Sequence, residues 1–141
     1  MKPRLFPTPD VRARVFLVDD SRPMLGAMRA LLDTDPRFEV AGSAETASDA
    51  IDLAVRLQPH VITMDLGLPD RSGLDLTRVL KSLIPSARIV VVTMSEGPNV
   101  RRSAFEAGAD AFVHKSAIAE SLLEALRIVC SERVSMERGE A

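Results

Sequence analysis

Three acidic residues stand directly after apolar runs of strand length. Asp19 and Asp20 follow the run 15–18, and Asp65 follows the run 61–64. If both runs are buried parallel strands, their carboxyl ends lie at the same edge of one sheet, where ligand sites of open α/β folds are found. Carboxylates held close together repel one another unless a cation lies among them. Because oxygen ligands of this kind suit Mg²⁺, the pattern predicts a magnesium site.

Two further polar residues stand at the ends of predicted strands, namely Thr93 after IVVV and Lys115 after AFVH. Each alone is unremarkable, since threonine is a strand former and lysine is usually solvated. Together with the three carboxylates they form a set suited to phosphoryl transfer, in which a metal, an ammonium and a hydroxyl each contact a phosphoryl oxygen. Asp65 is the natural nucleophile, because a carboxylate can form an acyl phosphate directly.

The elements that must position these residues alternate along the chain. From Arg14 onward, five apolar runs of strand length are each followed by a segment of helical periodicity, which is typical of an α/β domain with a parallel sheet. The predicted strands are 15–18, 38–41, 60–65, 89–93 and 111–113. Helix starts are indicated by Ser21, Thr46, Ser72-Gly73 and Gly97-Pro98, and helix ends by Pro59, Pro85 and Gly108.

The helical periodicity also predicts which side chains face the core. These are Met24, Met28, Leu31 and Leu32 in the first helix, Ala47, Ile51, Ala54 and Val55 in the second, Leu76, Val79, Leu80 and Leu83 in the third, and Ile118, Leu122, Ala125, Leu126 and Val129 in the last.

Composition narrows the class of protein. The 141 residues fit one domain, and a net charge of -2 without long blocks of one sign argues against direct nucleic-acid binding. The single cysteine, Cys130, excludes an intrachain disulfide and lies in an apolar helical pattern, so we expect a buried core residue. No apolar run approaches the length of a membrane span and the start lacks a signal peptide, so we expect a cytoplasmic protein.

We predict an extended arm at 1–13, one domain at 14–132 and a polar tail at 133–141.

Four segments resemble a known family in order and spacing. They are VDDS at 18–21, MDLGLPDRSG at 64–73, VVTMS at 91–95 and GADAFVHK at 108–115. Over about residues 14–132 the chain resembles the receiver domain of two-component response regulators. The resemblance implies a flavodoxin-like, doubly wound domain with a five-stranded parallel sheet of order 2-1-3-4-5.

The resemblance also implies roles for the site residues. Asp65 would accept phosphate from a histidine kinase or a small phosphodonor, and Asp20, assisted by Asp19, would hold Mg²⁺ with Asp65 and the backbone carbonyl of Gly67. Thr93 would move toward the new phosphate and Lys115 would pair with it. The protein would be a phosphorylation-dependent switch whose only chemistry is on itself, and not an enzyme with an external substrate.

Partners are implied in the same way. The segments 35–53 and 115–129 look most like receivers that precede helix-turn-helix DNA-binding domains. We therefore expect a sensor histidine kinase or phosphotransfer protein upstream, and a downstream protein or an output domain of a longer chain. A phosphorylation-dependent homodimer is left open.

Several residues depart from the family pattern. Phe112 stands where many members carry a switching tyrosine, so it either switches by burial alone or is a simple core residue. Met94 stands where a small residue is usual and would crowd the entrance to Asp65. Ser116 follows the lysine where proline is common in the family. The peptide bond between Lys115 and Ser116 is therefore a candidate for the cis form. We expect His60 and His114 at the solvent edge, because neither clusters with metal ligands.

Two other functions fit parts of the pattern. A metal-dependent phosphohydrolase would use the same acids. The sequence lacks the second acid/base residue after Asp65 that such enzymes need, it has no glycine-rich phosphate loop, and its connections are too short to build a substrate pocket. A phosphorylation-independent interaction module would keep the fold without the chemistry. The complete set of acids, threonine and lysine disfavours that module, while Met94 keeps it open.

Overall fold

The chain alternates strands and helices throughout the described region. The structure, a computed structural model, describes residues 12–137. The strands are β1 (Ala13–Val18), β2 (Phe38–Ala44), β3 (Val61–Met64), β4 (Arg88–Thr93) and β5 (Ala111–His114). The helices are α1 (Arg22–Asp33), α2 (Ala47–Leu57), α3 (Gly73–Leu83), α4 (Pro98–Ala107) and α5 (Ile118–Glu137). A 3₁₀ turn, Lys115–Ala117, joins β5 to α5.

The five strands form one parallel sheet in the order β2-β1-β3-β4-β5. One cluster of buried side chains joins the sheet to α1 and α5, and a second joins it to α2, α3 and α4. The predicted flavodoxin-like, doubly wound fold is therefore confirmed. Since all strands point the same way, their carboxyl ends share one edge.

The strands do not alternate between apolar and polar residues, because helices cover both faces of the sheet. In β1, Val15 and Leu17 pack in the cluster with α1 and α5, whereas Phe16 and Val18 pack in the cluster with α2 and α3. All four side chains are buried. Parallel strands covered on both sides need such continuous apolar sequence.

Local signals set the helix ends as predicted. The hydroxyls of Ser21 and Thr46 accept the backbone N–H groups of Met24 and Asp49, and so cap α1 and α2. Gly97 and Gly108 flank α4 with φ of 110° and 114°, a conformation that favours glycine.

Several details of the predicted elements were wrong. Leu83 of α3 is 51% exposed instead of facing the core. β2 runs to Ala44 instead of ending at residue 41, because the register with β1 shifts after Val15 and pairing resumes at Gly42. Val55 is 44% exposed rather than buried. The buried stripe of α2 consists of Ala47, Ala50 and Ala54, and Val55 lies about 100° around the helix from Ala54.

The predicted domain limits stay a prediction. Of the arm at 1–13, residues 1–11 lie outside the described residues, and β1 begins at Ala13. α5 continues to Glu137 within the segment assigned to the tail, whose last residues, 138–141, lie outside as well. None of the helices in residues 12–137 has the length and apolar character to cross a bilayer.

Cys130 is a core residue, as predicted. Its side chain is fully buried in the cluster beneath α1 and α5. Burial raises the pKa of the thiol to about 11, because the thiolate would lose its hydration. The thiol is therefore protonated and poorly reactive at neutral pH.

Gly73 begins α3 directly against the end of β3. A Cβ at this position would overlap the carbonyl oxygen of Asp65 and would lie 2.6 Å from Cα of Leu66. Both are backbone atoms, so no side-chain rotation can relieve the overlap. The close approach requires a residue without a side chain.

Replacing Gly73 by alanine is expected to destabilise the fold by about 1–3 kcal/mol, because the backbone after β3 must move to admit the methyl group. Urea denaturation measures this change. Gly26→Ala is the matched control, since Gly26 lies inside α1 and a Cβ there meets nothing within 4 Å. That variant should gain about 0.5–1 kcal/mol from helix propensity. Equal effects of the two variants would contradict the steric argument.

His60 is not the solvent-edge residue that the sequence suggested. Its Nδ1 accepts the backbone N–H of Arg14 at 2.8 Å, while its own backbone N–H donates to the Arg14 carbonyl. The ring is half-buried. Burial, helped by the Arg14 charge and opposed by Glu39, lowers the pKa of His60 below its usual 6.5.

The stabilisation from neutral His60 should be complete above pH 6.5 and should disappear as the pH falls through the lowered pKa, because protonation destroys the Nδ1 acceptor. His60→Asn places a non-titrating oxygen near the position of Nδ1. Its free energy of unfolding should therefore decline less than that of the wild type as the pH falls below about 6.5, as measured by urea titrations at several pH values. Parallel pH profiles would refute the role of this hydrogen bond.

Candidate functional site

The structure brings the three acids of the sequence prediction together. Neighbouring strands β1 and β3 end side by side, with Val18 paired to Met64. One carboxylate oxygen from each of Asp19, Asp20 and Asp65 lies within 4.8 Å of the others. Asp19 and Asp65 are buried, whereas Asp20 is exposed. The cluster therefore has two acids inside the protein and one facing solvent.

Lys115 reaches this cluster from the 3₁₀ turn after β5. Its Nζ lies 2.8 Å from Oδ2 of Asp19 and 3.5 Å from Oδ2 of Asp65. The lysine side chain is only 10% exposed. One ammonium therefore bridges two buried carboxylates, and it lies closer to Asp19 than to Asp65.

The electrostatics reflect an excess of negative charge. Burial raises the pKa of Asp65, and the Asp19 carboxylate raises it further, against the opposing effects of the Gly67 N–H and Lys115. Burial alone would lower the pKa of Lys115, but the close carboxylate of Asp19, followed by that of Asp65, outweighs burial and raises the pKa. Lys115 is thus held as a cation. The negative charge of Asp65 is only partly balanced by Lys115 and the Gly67 N–H.

The hydrogen bonds of Asp19 leave acceptor capacity in the cluster. Oδ1 accepts the backbone N–H of Ser21 at 2.8 Å. Oδ2 is buried and has the Lys115 ammonium within ion-pair distance, but no well-aligned hydrogen bond from the described residues. In Asp65, Oδ1 accepts the Gly67 N–H at 3.3 Å. The carboxylates can therefore accept further positive charge.

Thr93 ends β4 next to the cluster and is buried. Its Oγ1 accepts the backbone N–H of Ser95 at 3.2 Å, so the hydroxyl is engaged with the loop between β4 and α4. The Met94 side chain in this loop is 63% exposed. The loop conformation therefore determines where both the hydroxyl and the methionine lie.

Phe112, the predicted switch residue, is partly buried on the face of the sheet that α4 covers. The guanidinium of Arg101 lies 5.6 Å from the centre of its ring and 5.5 Å from that of Phe105. Such distances allow cation–π attraction. Arg101 therefore contacts one ring on its own helix, Phe105, and connects α4 to β5 through the other, Phe112.

Asp70 was missed by the sequence reasoning. It lies in the loop between β3 and α3, and its two carboxylate oxygens accept the N–H groups of Ala47 at 2.8 Å and Ser48 at 3.1 Å. These hydrogen bonds lower the pKa of the exposed carboxyl group. The carboxylate ties the loop after Asp65 to the start of α2. Its partners lie more than 20 residues away, so no local pattern signals the contact.

His114 was also missed, because the sequence predicted a solvent-edge role. Its ring contacts Ser116 and the carbonyl oxygen of Met94, and so spans the loops that follow β4 and β5. The bond between Lys115 and Ser116 is trans, as are all peptide bonds in residues 12–137, which corrects the cis bond raised by the sequence comparison.

Comparisons with known proteins agree with this geometry. A family model described as the response regulator receiver domain matches residues 15–127. The nitrate/nitrite response regulator protein NarP of Escherichia coli is 38% identical over 128 residues, which cover 86% of this chain and 60% of NarP. A protein-glutamate methylesterase/protein-glutamine glutaminase of Rhizobium johnstonii is 39% identical over 109 residues, which cover 77% of this chain and 31% of that protein.

A crystal structure shows the same fold. A LuxR-family two-component response regulator from Aurantimonas sp. SI85-9A1 superposes with a TM-score of 0.81 at 31% identity, covering 92% of this chain and all of that one. The chain spans less than two thirds of the length of NarP, and a smaller share of the methylesterase. The sheet order, the acidic edge and these matches together place the chain in the receiver-domain family of two-component response regulators.

Proposed function

We propose that this receiver domain is switched by phosphorylation of Asp65. The observation that carries the proposal is the position of Asp65: it is nearly buried, at the carboxyl edge of the sheet, with the Lys115 ammonium 3.5 Å away. A carboxylate there can attack phosphorus while the ammonium neutralises the charge that it receives.

The transfer is a displacement at phosphorus. An oxygen of the Asp65 carboxylate forms a bond to phosphorus, and the bond from phosphorus to the donor breaks. The donor is a phosphohistidine of a sensor histidine kinase or phosphotransfer protein, or a small acyl phosphate, and its leaving atom keeps the electron pair. The product on Asp65 is an acyl phosphate. Lys115 is held as a cation by Asp19 and Asp65, so it is ready to pair with the new phosphoryl oxygens.

The residues fit a divalent cation. Three carboxylate oxygens lie within 4.8 Å of one another, and the buried Oδ2 of Asp19 has acceptor capacity left over. We assign Mg²⁺ to Asp19, Asp20 and Asp65, with the carbonyl of Gly67 as the further protein ligand. When bound, Mg²⁺ supplies positive charge that neutralises the transferring phosphoryl group.

The output depends on the loop between β4 and α4. The Thr93 hydroxyl accepts the N–H of Ser95 in this loop, and it turns toward the phosphoryl group on Asp65 in the proposed switch. Movement of this loop changes the face formed by α4 and β5, where Arg101 contacts Phe112. Phe112 has no hydroxyl, so its part in the switch is a change of burial.

The partners follow from this mechanism. The upstream partner is a histidine kinase or phosphotransfer protein in the cytoplasm, and the downstream partner is a protein, an output domain or a second receiver that binds the α4–β5 face. No specific observation favours a phosphohydrolase or a phosphorylation-independent module. The exposed Met94 side chain is proposed to slow entry of the donor.

Incubation with Mg²⁺ and acetyl phosphate should add one phosphoryl group, seen as an intact-mass adduct that is stable in acid and labile in base. Asp65→Asn should abolish the adduct because the nucleophile is lost, and Asp20→Ala should abolish it because a metal ligand is lost. Asp52→Asn, an exposed acid on α2, is the matched control and should keep the adduct. Absence of an adduct on the wild type, or its persistence in Asp65→Asn, would refute the proposal.

Asp65→Asn should also raise the midpoint temperature of thermal unfolding at neutral pH, measured with a chelator present to remove divalent cations. The raised pKa means that the stabilising, protonated form is lost as the pH rises through that pKa, so ionised Asp65 costs stability at pH 7. The neutral side chain of the asparagine removes the repulsion between residue 65 and the Asp19 carboxylate, and it leaves Lys115 paired to Asp19. Asp52→Asn again serves as the control and should show no comparable rise. A lower midpoint for Asp65→Asn would contradict the charge argument.

A further inference from the structure

We propose that His114 is a positioning residue that holds the loop between β4 and α4 in its resting conformation. Its effect on phosphorylation rests on the function proposed above, whereas its effect on the loop does not. The imidazole stabilises the arrangement in which the Thr93 hydroxyl accepts the N–H of Ser95, and so opposes the switch.

The contacts of the ring fix its tautomer. Nδ1 accepts the backbone N–H of Ser116 at 3.2 Å and lies 2.7 Å from the Ser116 hydroxyl. Because Nδ1 accepts an N–H, the ring hydrogen of the neutral form is on Nε2. Nε2–H then donates to the carbonyl oxygen of Met94 at 2.9 Å. The ring is thus oriented by the turn after β5 and donates to the loop after β4.

The position of His114 connects two site residues. It pairs with Thr93 in the register of β4 and β5, and it immediately precedes Lys115. Its hydrogen-bond acceptor, the Met94 carbonyl, belongs to the residue immediately after Thr93. The His114 side chain therefore connects, by hydrogen bonds, the backbone next to Thr93 and the turn that carries Lys115.

Glu96 makes a second, weaker contact between the same loop and the ring. Its Oε1 lies 3.4 Å from Nε2 of His114, and its side chain is 80% exposed. A solvent-exposed contact of this length contributes little. The hydrogen bond to the Met94 carbonyl is therefore the contact that holds the loop.

The consequence is a bias toward the resting state. In the proposed switch, the Thr93 hydroxyl moves toward the phosphate on Asp65, and the loop that donates to it through the Ser95 N–H moves with it. Met94 lies between these two residues, so its backbone moves as well. Movement of Met94 breaks the bond from His114. A contact present only in the resting conformation shifts the equilibrium away from the active one, and its removal shifts the equilibrium back.

Hydrogen exchange of the amides of residues 95–97 in the unphosphorylated full chain tests directly whether His114 holds this loop. His114→Asn keeps an acceptor near Nδ1 but is too short to reach Met94, so exchange should accelerate about three- to tenfold. His114→Gln places an amide N–H near the position of Nε2 and should restore exchange close to that of the wild type. Glu96→Gln removes only the carboxylate charge of this exposed contact, and the exchange of residues 95 and 97 should stay unchanged.

Three results would overturn the proposal. These are unchanged exchange in His114→Asn, equal acceleration in the asparagine and glutamine variants, and acceleration by Glu96→Gln as large as that by His114→Asn.

Phosphorylation by acetyl phosphate and Mg²⁺ tests the consequence for the switch. His114→Asn should form the adduct several-fold faster than the wild type, and His114→Gln should not. Faster exchange with an unchanged phosphorylation rate would overturn the coupling to Thr93. If the wild type forms no adduct, the proposed function fails, and the exchange measurement alone decides the role of His114.

Discussion

The structure depends most on the placement of two buried carboxylates against one ammonium. Asp19 and Asp65 are adjacent because β1 and β3 are neighbours, and Lys115 bridges them because the turn after β5 directs it across the edge of the sheet. The ion pairs offset part of the cost of burying these charges. The remaining negative charge is what the proposed cation would neutralise.

The loops around this site are tied by specific contacts rather than by packing alone. Asp70 fastens the loop after β3 to the start of α2, Gly73 allows α3 to begin against the Asp65 backbone, and His114 connects the loops after β4 and β5. At the opposite edge, Asp110 pairs with Lys81 and Arg88 and accepts the N–H of Ile89. β4 is therefore anchored at its start by ion pairs, while its end carries Thr93.

Most of the fold could be predicted because its signals are local. The apolar runs of β1, β3 and β4, the caps at Ser21 and Thr46 and the left-handed Gly108 each depend on a few neighbouring residues. The end of β2 could not be predicted, since the bulge arises from pairing with β1. Val55 was misplaced because periodicity gives a stripe but not the rotation of α2 against the sheet.

The sequence by itself determined the strand-ending acids, the threonine and lysine, the strand and helix order, and through them the family. Those features follow from residue type and spacing, which are properties of the chain. Only the tertiary structure decided that Lys115 lies closer to Asp19 than to Asp65, that Asp70 caps α2 and that His114 donates to the Met94 carbonyl. These contacts join residues distant in sequence, and their geometry depends on how the strands and helices pack in three dimensions.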